Sequence, residues 1–319
     1  MFLVTGGAGF IGSNIVAALE RQGEVAVCDR LGHGDKWKNL AKRELADLVP
    51  PERLSDWLKG RKLDGLYHLG AISTTTETDA DLILRENFSL SLALWDWCTQ
   101  ARVPFVYASS AATYGDGAAG FDDDEGTLAH LRPMNAYGWS KHLFDRRAVR
   151  LAASGHRPPR WVGLKFFNVY GPNEYHKGGQ LSVAWQIQQR VAAGLPASLF
   201  RSYDPRYGDG GQLRDFVWVG DCVDVALWLA RHADGIYNVG TGEARSFEDL
   251  AKAVFSASNQ APRIDFVEMP EAMRDRYQYF TRSNPEKLRR AGYGRPFSSL
   301  EDGVRAYVQD FLLKPDPYL

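Results

Sequence analysis

A chain of 319 residues, 45% of them hydrophobic, is long enough for one large α/β domain or for one domain with a smaller lobe. Its 38 Lys and Arg balance 39 Asp and Glu, so at a net charge of −1 no global field recruits nucleic acid or an anionic membrane, and an anionic ligand must meet locally placed cations. Cys28, Cys98 and Cys222 are widely spaced, form neither a CxxC pair nor a metal cluster, and read as small buried hydrophobes in a reducing cytosol.

The start, MFLVTGGAGF, has no basic region followed by a long apolar run, and no apolar stretch is long enough to span a bilayer. The expectation is a cytoplasmic protein with no metal and no membrane partner. MFLVT reads as a strand that stops at glycines, and FIGSNIVAALERQG as a helix with Ile11, Ile15, Ala18 and Leu19 on one face and Gly23 as its C-cap. EVAVCD and LDGLYHLGA (63–71) read as the second and third strands. A long helix follows in DLILRENFSLSLALWDWCTQA, whose tryptophans suit core or interface, and then a fourth strand in VPFVYASSA. NAYGWSKHLFDRRAVRLAASG is helical, and RWVGLKFFNVYGP is a strand leaving the sheet into a loop. Farther on, DFVWV and GIYNVG read as strands, and DCVDVALWLARHA and SFEDLAKAVFSAS as helices.

Near-continuous apolar strands between helices predict a parallel sheet covered on both faces, in a doubly wound α/β arrangement. The division expected is a dinucleotide-binding domain over 1–170, with 213–241 returning to it, and a smaller α/β substrate lobe over 171–319.

TGGAGFIG places Gly6, Gly7, Gly9 and Gly12 between the first strand and the first helix, with GxGxxG spacing from Gly7. Early glycines allow the tight turn, Gly9 lets a pyrophosphate approach the backbone, and Gly12 lets helix pack on strand. The helix N-terminus then faces the phosphates. Asp29 ends the second strand, where a carboxylate suits a ribose hydroxyl. Arg30 follows, with Lys36 and Lys38 in the next loop, and a cation here suits a 2′-phosphate. The cofactor expected is NADP, with NAD as the alternative.

Tyr137 and Lys141 lie four residues apart, on one helical face. A lysine beside a phenol favours the phenolate, which then takes a proton from a substrate hydroxyl as hydride leaves. The same lysine suits the nicotinamide ribose. Ser110, at the end of the fourth strand, is placed to bond the same hydroxyl.

TGGAGFIG, HLGAIS (68–73), EN (86–87), SSAATYG (109–115), YGWSK (137–141) and FFNVYGP (166–172) together resemble the extended short-chain dehydrogenase/reductase family, a Rossmann fold. The resemblance implies that Phe10, Ile11, Asn87, Val169 and the segment Leu69, Gly70, Ala71, Ile72, Ser73 border the cofactor. Within the family, HKG after YGP, RDFVWVGD (214–221) and DRYQYFT (275–281) look like enzymes that invert carbon 6 of an ADP-activated heptose, for the lipopolysaccharide core. Such enzymes are homo-oligomers, and a pentamer is implied. Inverting a carbon whose C–H is not acidic calls for oxidation to a ketone and return of the same hydride to the other face. If the ketone rotates between the steps, the alkoxide appears in two places, and two acid/base groups serve better than one. Tyr137 is one and Lys177, set between His176 and two glycines, is the second. Lys177 is also expected to touch the cofactor, and His176 is read as a polar wall.

Substrate contacts are expected from Ser110, Asn168, Arg214 on the diphosphate and Tyr277 on the nucleotide-sugar, with Phe200, Arg201 and Ser202 added by the resemblance. Gly179 stands where the pattern has serine, Gln186 where it has histidine, and Pro51 where it has a phosphate-binding lysine. The loop 201–213 is longer than the pattern. The alternatives are a hexose 4-epimerase, which needs no Lys177, and a non-catalytic dinucleotide-binding protein. A 4,6-dehydratase calls for an acidic pair where Ala111, Ala112 and Thr113 stand.

Overall fold

The computed structural model describes residues 1–274 and 277–319. Its strands are β1 (Phe2–Thr5), β2 (Val25–Cys28), β3 (Asp47–Val49), β4 (Gly65–His68), β5 (Phe105–Ser110), β6 (Trp161–Phe166), β7 (Asn168–Tyr170), β8 (Ala197–Phe200), β9 (Leu213–Arg214), β10 (Phe216–Trp218), β11 (Gly235–Val239), β12 (Arg245–Ser246) and β13 (Ile264–Val267). The helices of eight residues or more are α1 (Phe10–Leu19), α2 (Leu90–Ala101), α3 (Ala136–Ala153), α4 (Val183–Ala192), α5 (Val219–His232), α6 (Phe247–Ala257) and α7 (Leu300–Tyr307).

Seven strands form one parallel sheet in the order β11-β6-β5-β4-β1-β2-β3. Every residue of β2, β4, β6 and β11 is buried, which is why these strands read as unbroken apolar runs. On one face Ile15, Val16 and Leu19 of α1 pack with Val223, Ala226 and Leu229 of α5. On the other, Trp95 of α2 and Phe144 of α3 pack with Phe105 and Tyr107 of β5, and the Trp95 ring lies 5.3 Å from that of Trp161. A third core joins α4, α6, α7 and β8 beyond the sheet.

The strand order reverses between β1 and β4, so a crevice opens at their C-terminal ends. RWVGLKFFNVYGP divides there. β6 stays in the sheet, and β7 leaves to pair in parallel with β10. The short pairs β8–β13 and β9–β12, and strand β3, escaped the sequence reading. They are two to four residues long, and their partners are distant in sequence.

The helix expected as one run over 81–101 is interrupted. A π turn, Leu84–Ser89, separates Ala80–Ile83 from α2. Asn87 in that turn points inward. Its Oδ1 accepts from the Ile72 N–H at 2.8 Å, and its Nδ2 donates to the Ile72 carbonyl at 2.9 Å and to Ser140 Oγ at 3.0 Å. The widened turn ties the loop after β4 to α3.

Candidate active site

The glycine loop is shaped by close backbone approach. Gly6 has φ +67°, and a Cβ there would fall 2.5 Å from the Gly70 nitrogen. A Cβ on Gly12 would meet the Gly6 carbonyl oxygen far inside contact distance. Gly9 caps α1, so the free N–H groups of the first turn open onto the crevice. A side chain would fill this cradle, and bare backbone fits the pyrophosphate of a dinucleotide.

At the end of β2, Asp29 accepts from the Ala8 N–H at 2.9 Å and pairs with Lys36 Nζ at 2.6 Å. The structure turns Arg30 outward to Glu52 and Glu86, and pairs Lys38 with Asp35. Of the three cations expected at this end, Lys36 is the one that lines the cavity.

That cavity, about 590 Å³, gathers Gly6, Gly9, Phe10, Ile11, Gly12, Asp29, Lys36, Leu69, Gly70, Ala71, Ser73, Ser110, Tyr137, Lys141, Asn168, Val169, His176 and Lys177. Ile72 and Asn87 lie behind its wall, bonded to each other as described.

Asn135 starts α3, its side chain accepting from the Gly138 N–H at 2.8 Å. A Cβ on Gly138 would lie 2.7 Å from the Ala112 carbonyl, so glycine lets this helix end seat on the turn after β5. The contact brings Tyr137 to Ser110. Burial raises the Tyr137 phenol above its ordinary pKa, while a hydrogen bond from Ser110 pulls it down. Burial brings Lys141 down to about 8, against the pull of Asp145. For the Tyr137 phenol desolvation is the largest influence, and it outweighs the Ser110 bond.

Lys177 sits on the opposite loop, its Nζ 5.1 Å from the centroid of the Phe10 ring. Burial lowers its pKa, and Glu174 opposes. The loop is held by buried side chains. Glu174 accepts from Ser182 Oγ at 2.7 Å and Tyr307 Oη at 2.8 Å. Asn14 donates to the Pro172 carbonyl, Asn173 to Ser13, and Asn39 to the Ala8 and Asn173 carbonyls. His176 contacts Asn39 at 3.2 Å, and burial keeps it neutral with a pKa of about 4.

The residues expected around the substrate's nucleotide lie off this cavity. The Arg214 guanidinium lies 5.3 Å from the Tyr277 ring and 5.5 Å from Phe247, which itself lines the cavity. Phe200 packs edge-on against Tyr277 at 6.4 Å. Arg201 pairs with Asp209 and Glu268, and Ser202 N–H bonds Asp209. Gly179 is exposed, and Gln186 is exposed and donates to the Leu181 carbonyl. None of Phe200, Arg201, Ser202, Arg214, Tyr277, Gly179 and Gln186 lines the cavity. Asp275 and Arg276 of the DRYQYFT motif lie outside the described residues. Sequence reasoning missed Gln180, Ser182, Phe216, Phe247 and Leu250, all of which line the cavity. Phe216, Phe247 and Leu250 carry only strand and helical periodicity, which marks packing and says nothing of a ligand, and Gln180 and Ser182 lie in the turn before α4.

A family model described as NAD dependent epimerase/dehydratase matches residues 2–240. The chain belongs to that family. An ADP-L-glycero-D-manno-heptose-6-epimerase of Nitratidesulfovibrio vulgaris (strain DP4) is 46% identical over 327 residues, with both chains fully covered. One from Fusobacterium nucleatum is 43% identical, again with both fully covered. Among solved structures, the Helicobacter pylori ADP-L-glycero-D-manno-heptose-6-epimerase superposes with a TM-score of 0.81 at 28% identity, covering 97% of this chain and 95% of that one. A Thermus thermophilus UDP-glucose 4-epimerase complex with NAD gives 0.78 at 31% identity, covering 97% of each. A family member with this cleft carries a nicotinamide dinucleotide.

Proposed function

We propose that this chain inverts carbon 6 of ADP-glycero-manno-heptose, interconverting its D-glycero and L-glycero forms. The observation that carries the reading is one cavity lined by the glycine cradle, by Ser110, Tyr137 and Lys141, and by Lys177 on the opposite loop. The full-length likeness to curated heptose epimerases supplies the substrate class.

Gly6, Gly9, Gly12 and Asp29 hold the dinucleotide, which when bound supplies the hydride acceptor and donor. Tyr137 takes the proton of the carbon-6 hydroxyl at one position, with Ser110 bonding the same oxygen. Lys141 sets positive charge beside the phenol. Lys177, on the loop across the cleft, gives or takes the proton when the alkoxide forms at its second position. A hexose 4-epimerase has no use for Lys177, and the lysine's place in the cavity wall favours the heptose reaction. We assign Arg214, Tyr277 and Phe200 to the nucleotide end.

For the cofactor we propose NADP over NAD. Asp29 is already satisfied by the Ala8 N–H and neutralised by Lys36, so a 2′-phosphate meets a cation and not a bare carboxylate. Lys36→Ala should then weaken NADP binding by roughly ten- to hundredfold and leave NAD binding nearly unchanged, since a hydrogen bond to a charged group is worth about 1.5–3 kcal/mol. Equal loss for both cofactors overturns the preference. We also propose a cytosolic homo-oligomer. Three free buried cysteines suit a reducing compartment, and the exposed Met134 and Trp139 at the start of α3 suit a subunit contact.

Purified protein given ADP-D-glycero-D-manno-heptose should produce the L-glycero epimer with no net change in cofactor absorbance. Steady accumulation of reduced cofactor contradicts the proposal.

A further inference from the structure

Beneath the cleft lies a buried ion pair that the reaction as described does not use. Asp145 of α3 and Lys165 of β6 are both fully buried, with Nζ 3.3 Å from Oδ2. Asp145 also accepts from Tyr107 Oη at 3.0 Å and Ser109 Oγ at 2.7 Å. Lys165 donates to Thr113 Oγ1 at 2.7 Å and sits 4.4 Å from the centroid of the Tyr114 ring. Thr113 in turn bonds the Ser110 carbonyl. The pair thus grips the end of β5 on both sides of Ser110.

Its position on the helix gives it a second consequence. Tyr137, Lys141 and Asp145 follow one another at four-residue spacing, so they stack on one face of α3. Asp145 is the next group down from Lys141, and a buried carboxylate needs a cation. Among the described residues Asp145 pairs with Lys165 and not with Lys141. We propose that Lys165 is a positioning residue that occupies Asp145, so that the Lys141 charge stays free for Tyr137. This rests on the assignment of Tyr137 as the base.

Without Lys165, Asp145 draws the Lys141 ammonium, one turn away on the same helix face, down the helix and away from the phenol. Other charged groups face the pair. Asp123 accepts from the Asn238 N–H, and the Lys287–Glu125 ion pair stands beside it. Burial holds His142 neutral with a pKa of about 4, and His68, on β4, with one of about 3. Arg132 and Arg146 act on His142 from α3 and the loop before it. Lys177 faces the cleft from the other side. None of these changes in the variants below, so they offset both alike.

The test is the pH dependence of kcat together with ultraviolet titration of the Tyr137 phenol, read against Tyr137→Phe. In Lys165→Met the unbalanced carboxylate disfavours phenolate, so the acid limb and the phenol pKa move up. Across the two helical turns between Tyr137 and Asp145, ~12 Å, the shift is ~1 pH unit at an effective dielectric of ~20. In Asp145→Asn the unbalanced cation favours phenolate and both readouts move down by about that Coulomb amount, less than the upward shift in Lys165→Met, which also loses Lys141 from beside the phenol. In the double variant Asp145→Asn/Lys165→Met the shifts cancel. Absent shifts, shifts of one sign in both single variants, or shifts equal in size and opposite in sign overturn the inference, since bare charge imbalance alone gives the last. If Lys165→Met does not fold, Asp145→Asn and the double variant still decide it. A wild-type protein that turns over no ADP-heptose defeats the proposed function, while the phenol titration still tests the ion pair.

Discussion

The glycine cradle is contiguous in sequence, with Gly6, Gly9 and Gly12 on one strand, turn and helix, whereas the wall carrying Lys177 is fastened by residues scattered over the chain. Asn14 and Ser13 come from α1, Asn39 from the loop after β2, Ser182 from the start of α4 and Tyr307 from α7. A cradle made of backbone has its geometry written locally. A wall made of long-range hydrogen bonds places its lysine only when the whole fold is complete. The two should therefore fail differently. Damage to the cradle should show in cofactor binding. Damage to the wall should show in kcat with cofactor binding kept.

The largest expected effect comes from the proton-transfer groups themselves. Tyr137→Phe and Lys177→Met should each lower kcat by roughly 10²–10⁴-fold, the range for one general acid/base, and still bind nucleotide-sugar by calorimetry. A Lys177→Met enzyme with near-normal kcat removes Lys177 from the chemistry. Next, Gly12→Ala drives a Cβ against the Gly6 carbonyl. Overpacking of this kind costs about 1–3 kcal/mol, so dinucleotide affinity and melting temperature should both drop. Unchanged affinity breaks the account of the cradle.

Tyr307→Phe is a milder probe of the other wall. It removes a donor to Glu174, so kcat should fall about tenfold at saturating cofactor, a loss of about 1–2 kcal/mol of positioning. A change in KM for substrate with kcat intact erases the contrast between the walls.

The smallest effect is on stability. Lys141 has a folded pKa of about 8 against an ordinary value of 10.5. Between those pH values the unfolded chain holds a proton that the folded one has lost, so this residue makes stability rise with pH across that window. Lys141→Met should flatten that part of the curve of unfolding free energy against pH. A steeper rise in the variant contradicts the assignment.

The fold was legible because its strands are apolar throughout and its breaks fall at glycines. The cofactor end was legible because Gly6 to Gly12 and Asp29 form a compact pattern. Tyr137 and Lys141 were readable as a pair on one helical face, and Ser110 as a strand end. What stayed hidden was assembly. Nothing near Asn87 in sequence says that it fastens Ile72 and Ser140, and nothing near Lys165 says that it meets Asp145. The charges after β2 show the same limit. Arg30, Lys36 and Lys38 read alike in the chain, yet distant Glu52 and Glu86 draw Arg30 outward, and only Lys36 lines the cavity.

The central claim is that one hydride leaves carbon 6 and returns to it inside the cleft. Epimerisation run in deuterium oxide, with the product read by proton NMR, tests it most directly. The account predicts inverted product that keeps its full proton signal at carbon 6. Solvent deuterium at that carbon would show that the hydrogen exchanged as a proton, and would contradict it.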